Sequence, residues 1–65
     1  MLNKREKTEL LREAAARSRA VPDEVHYALY GGCYIVVTTD AAKAERLKSQ
    51  GYTLYCKMLS GNMIL

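Results

Sequence analysis

The sequence has no tryptophan and no phenylalanine, and only one proline, one histidine and two cysteines in 65 residues. No apolar run approaches the ~18 residues that a membrane-spanning helix needs. The N-terminus, Met1-Leu2-Asn3-Lys4-Arg5, has positive charge but no apolar stretch behind it, so it does not read as a secretory signal. A cytoplasmic setting with no membrane partner is therefore expected. Cys33 and Cys56 lie 23 positions apart, with no C-x-x-C pair. A single histidine leaves a Cys/His zinc site within one chain short of ligands. Two free thiols packed as small hydrophobes, with no metal and no cofactor, are the expectation in a reducing compartment.

Catalytic patterns are also absent. Gly31-Gly32 lacks the G-x-x-x-x-G-K spacing of a phosphate loop, and no helix pattern follows it directly. His26 has Asp23 and Glu24 near it in sequence, yet no motif joins them as base and orienting acid. It reads as a packed strand histidine. Cys33 has no adjoining cation to lower its pKa, and thiol chemistry is not indicated. The chain is not expected to be an enzyme.

What is present is a foldable composition, 49% hydrophobic and 26% charged, which excludes a disordered chain. The length suits one domain, residues 1–65. A domain this small buries only ~60% of its unfolded surface, so a partner or a homodimer would relieve its marginal stability. The net charge of +3 resides entirely in residues 1–19, where six Lys/Arg stand against three Glu; the rest is balanced, four against four. Any polyanion would meet that segment.

Residues 4–19 predict a basic amphipathic helix. Asn3 caps it, Glu6 completes a capping box, and Leu10, Leu11, Ala14, Ala15 and Ser18 form a narrow apolar stripe. Glu13 and Arg17 form an i,i+4 pair, and Val21-Pro22 stops the helix. A ββαβ unit over 25–65 follows. Val25–Tyr30 and Cys33–Thr39 flank Gly31-Gly32, a tight hairpin signal. With those two glycines as the loop, Tyr30 faces Cys33 and Ala28 faces Ile35. Residues 41–50 predict a second helix capped by Thr39 or Asp40, and 52–59 a third strand. Ser60-Gly61-Asn62 predicts a turn, and the apolar tail after it a short edge strand. The fold class is α+β: a small α-β-β-α-β domain with a three- or four-stranded sheet and two helices.

Both faces of the hairpin carry large apolar side chains, whereas a sheet with one wet face alternates apolar and polar. Both faces then need cover, from this chain or another. All five aromatic residues are tyrosines, which suit half-wet surfaces and interfaces. These features point to a small non-enzymatic intracellular binding or regulatory protein. It would act through an apolar, tyrosine-bearing sheet face, or through a sheet edge that accepts another strand. Tyr27, Tyr34 and Tyr55 are the candidate anchors on one face, with Val36 and Leu29 between them. Arg12, Arg17 and Arg19 would steer an acidic protein partner. Chains of this size include accessory regulators and inhibitors of host proteins from phages and mobile elements. The alternative is a small nucleic-acid-binding module using the basic helix and the sheet tyrosines.

Overall fold

The computed structural model describes residues 2–32 and 34–64. The chain runs through α1 (Lys4–Ala20), β1 (His26–Gly31), β2 (Tyr34–Thr38), α2 (Ala41–Ser49), β3 (Thr53–Leu59) and β4 (Asn62–Met63). The expected α-β-β-α-β order and the fourth short strand are both present. The strands form one antiparallel sheet in the order β2-β1-β3-β4. Since β2 and β3 both run opposite to β1, they are parallel to each other, and α2 carries the chain past β1 between them.

Local chemistry sets the helix ends. The Asn3 side chain accepts from the Glu6 amide at 2.8 Å, and the Glu6 carboxylate accepts from the Asn3 amide at 3.1 Å, closing a capping box. Asp40, rather than Thr39, caps α2, accepting from the Ala42 and Lys43 amides at 3.0 and 3.2 Å. Glu13 and Arg17 pair at 2.7 Å as their spacing predicts.

The core lies between α1 and the sheet. Leu2, Leu10 and Ala14 are buried with Ala28, Cys56 and Met58, and Leu11, Ala15, Tyr30, Val37 and Tyr55 pack around them. On the other side α2 lies against β1, β2 and β3. There Leu29, which by strand alternation faces away from Ala28, is fully buried, as is most of Ala44. Each helix therefore takes one face, and no whole face is left uncovered.

Ser18 fastens α1 to the far hairpin. It is 0% exposed, donates to the Ala15 carbonyl at 3.0 Å, and accepts from the Gly61 amide at 2.8 Å. Ser60 and Gly61 both have positive φ, 52° and 81°, the two-residue turn geometry that joins β3 to β4 with Leu59 facing Asn62. The Ser60 hydroxyl donates to the Pro22 carbonyl at 2.8 Å. A Cβ on Gly61 would stand 2.6 Å from Arg19 Cγ, so the arginine stem lies directly over this turn.

Two sequence expectations are corrected. The hairpin pairs Gly31 with Tyr34, Tyr30 with Ile35 and Ala28 with Val37, two residues out of the expected register. Gly31 is a strand residue, not a turn residue. A Cβ there would meet the Tyr52 ring at 3.0 Å, so glycine makes room for that ring. A slip of two preserves which face each side chain takes, and the grouping of His26, Ala28, Tyr30, Ile35 and Val37 on one face holds. The second correction lies in β3. Its pairing with β1 jumps from Ala28–Cys56 to Leu29–Leu54, a bulge at Tyr55. The bulge turns Tyr55 to the α1 side and reverses the alternation before it. Leu54 therefore sides with Leu29 rather than with Cys56.

Candidate functional site

An α-helix with its side chains is ~10 Å across and strands are ~4.8 Å apart, so one helix shields about two strands. The buried residues of α1 are Leu10, Ala14 and Ser18, a stripe one residue wide. Leu11 and Ala15 on its flank join the core with Tyr55, on the β3 side. The opposite flank of α1 leaves a groove beside β2. One hollow of about 400 Å³ is lined by Glu9, Arg12, Glu13, Ala16 and Ile35. A second of about 410 Å³ is lined by Arg17, Ala20, Val21, His26, Val37, Thr38 and Thr39. Both lie between the same flank of α1 and the same strand, one after the other along β2.

β2 is also an edge of the sheet. Alternate residues of an outer antiparallel strand turn their N–H and C=O groups away from the neighbouring strand, which leaves a template for a further strand. Natural edges are guarded by charge, proline, bulges or shortness. The other edge, β4, is two residues long. β2 has five residues, Tyr-Ile-Val-Val-Thr, with no charge, no proline and an unbroken register against β1. Ile35 is 36% exposed and Tyr34 69% exposed, the largest value among the exposed apolar and aromatic side chains.

The predicted site residues divide. Tyr34 and Val36 lie on β2, while Arg12 and Arg17 line the groove beside it. Tyr27 is half-buried in the adjacent strand, with Lys57 Nζ 5.6 Å from its ring centroid. Tyr55 does not share their face. It packs edge-on against Tyr30 beneath α1, with centroids 6.2 Å apart and planes at 72°. The expected face of Tyr27, Tyr34 and Tyr55 is therefore broken by the bulge. Leu29 is buried and offers nothing to a partner. Arg19 lies over the Gly61 turn on the β3–β4 side, apart from Arg12 and Arg17. Ile35, Val37 and Thr39 along this edge were not singled out as site residues by sequence reasoning, nor was Glu9 on the α1 wall of the groove. The signal for them is the uncharged run from Tyr34 to Thr39 itself.

His26 is 4% exposed, and its Nδ1 donates to the Glu24 carbonyl at 3.0 Å, which fits the packed strand histidine expected. Burial pushes the Cys56 thiol above its usual pKa, since the thiolate is the form that desolvation disfavours. Cys56 is free and buried; the reading of Cys33 falls outside the described residues. Among the described residues no group of three or more His, Cys, Asp or Glu is placed to hold a metal ion, and no helix is long and apolar enough to cross a membrane. The chain matches no protein-family model, no curated protein and no solved structure.

Proposed function

We propose that this chain is a small non-enzymatic binding protein that works by accepting a β-strand along the free edge of β2. The observation that supports this reading is the coincidence of an unguarded five-residue edge with two successive hollows along one side of it. In strand addition the main-chain hydrogen bonds supply affinity, and hollows for alternate side chains supply selectivity. Side chains two apart on an added strand are ~6.8 Å apart and point to the same side. Those on the α1 side would enter the groove over Ile35 and Val37. Those on the other side would meet Tyr34 and Val36.

The nucleic-acid reading has less support. The basic groups of the groove, Arg12 and Arg17, share it with Glu9 and Glu13 and lie on the sheet face opposite Tyr34. Only Tyr34 presents most of its ring to solvent.

The test places a photo-crosslinking amino acid at position 35 and, separately, at position 45 on α2. Adducts from position 35 that disappear when Val37→Lys is added support strand addition. Adducts from position 45 alone would overturn it. Retention on heparin that falls steeply with salt, with no protein adducts, would replace it with the nucleic-acid reading.

A further inference from the structure

The edge of β2 faces a groove wall whose charge pattern identifies an occupant. The charged side chains lining the two hollows are, in chain order, Glu9, Arg12, Glu13 and Arg17. Their signs alternate, minus, plus, minus, plus. Read in reverse the pattern is plus, minus, plus, minus. A second copy of the same flank, laid antiparallel, therefore sets Glu9 against Arg17 and Arg12 against Glu13, twice each, with no like-charge pair. Two of each sign also make this wall neutral in a chain of net charge +3, which suits a like surface better than an acidic or polyanionic one.

The sheet repeats the argument. An edge strand is self-complementary in the antiparallel sense, and a two-fold axis normal to the sheet keeps both copies of α1 on the same side. Ile35 lines the same hollow as Glu9, Arg12 and Glu13, so it stands level with the midpoint of the charge pattern. We infer that the strand β2 accepts is β2 of a second copy, in a two-fold dimer centred on Ile35, with α1 and its partner helix facing across the seam. This rests on the strand-addition reading and names its partner. The two sheets become one of eight strands. Ile35, one-third exposed in the single chain, meets its own counterpart under the helices. On the opposite face Tyr34 comes beside Val36 of the second copy, which covers the most exposed aromatic ring. Tyr34, Ile35 and Val36 each meet an apolar counterpart, and each groove charge has an opposite one.

Sedimentation equilibrium at sub-millimolar concentration tests this. The expected mass is twice 7.3 kDa. Arg12→Glu and Glu13→Arg, both on exposed helix positions, should each weaken self-association roughly tenfold or more, because each creates like-charge pairs across the seam. Mixing the two variants should restore the dimer as a heterodimer, since position 12 of one then again opposes position 13 of the other. A mixture that stays monomeric, with both variants shown folded by circular dichroism, overturns the proposed register. A wild-type chain that stays at 7.3 kDa overturns the second copy as occupant but leaves strand addition by another protein standing. Amide exchange separates the two ideas further. A dimer whose β2 amides are no better protected than at high dilution would overturn β2 as its seam and would leave strand addition by another protein standing.

Discussion

Replacing Ser18 by alanine is the most direct probe of how the groove is held open. The Ser18 hydroxyl is fully buried and is the acceptor for the Gly61 amide at 2.8 Å. Alanine removes the acceptor and leaves that N–H with no partner beneath the Arg19 stem. The other bond of the hydroxyl, to the Ala15 carbonyl, matters less, because that carbonyl sits in the helix interior and keeps its helical acceptor role. A buried donor left unsatisfied costs about 1–3 kcal/mol, and the desolvation of the hydroxyl itself is no longer incurred, so a net loss near the lower half of that range is expected. For a domain of this size total stability is only ~3–10 kcal/mol, and each kcal/mol moves Tm by roughly 4–8 °C. Thermal unfolding of Ser18→Ala should therefore show Tm lower by roughly 5–15 °C, and the Gly61 amide should exchange freely. A Tm within about 2 °C of the wild type, with Gly61 still protected, would refute the idea that this bond fixes α1 to the β3–β4 hairpin.

Other substitutions test separate parts of the fold. Gly31→Ala inserts a Cβ 3.0 Å from the Tyr52 ring and should cost about 1–3 kcal/mol in urea unfolding, a loss that Tyr52→Ala in the same chain largely relieves. Asn3→Ala breaks the capping box and should cost about 1 kcal/mol, seen as faster amide exchange in the first turn of α1. Cys56 should react with a thiol reagent only at the rate of unfolding, since it is buried and its pKa is raised. A group whose folded pKa is raised keeps its full contribution below the unfolded thiol pKa, near 8.5, and loses it as pH climbs above that value. Cys56→Ala should flatten that alkaline decline in stability, measured by urea midpoints across the range.

The helices were legible because their ends carry side-chain chemistry that acts locally. Asn3 with Glu6, Asp40 before two alanines, and Val21-Pro22 each satisfy or block backbone groups within one turn, whatever the rest of the chain does. Strand identity was legible for the same reason. Register was not. Gly31-Gly32 admits two pairing registers two residues apart, and the one adopted sets Gly31 against the Tyr52 ring, twenty-one positions away, which takes the space a Cβ would fill. The bulge at Tyr55 is likewise set by tertiary packing, since Tyr55 gains contact with Tyr30 and the α1 stripe by turning out of alternation. That one irregularity dissolved the three-tyrosine face expected from the sequence. The sequence pointed to an uncovered sheet face; the two helices cover both, so where the hairpin's apolar residues stay exposed depended on the second helix. With α1 on one side and α2 on the other, the surplus comes to rest along an edge.

An edge is a different physical problem from a face. A face is covered by bulk, and nine residues of α2 suffice to bury Leu29 and Ala44. An edge must have its backbone paired or its approach blocked, and a single lysine directed outward does the second. Ten Lys/Arg and seven Asp/Glu are available in the chain, and none falls between Val25 and Thr39. The solvent-facing cost of placing one there is small, because Ile35 already has a third of its surface in water. Meanwhile β3, an interior strand with neighbours on both sides, does carry a lysine, Lys57, laid over Tyr27. Charge is thus spent where the backbone is already paired and withheld where it is open. That distribution fits a strand kept open for pairing, as proposed above.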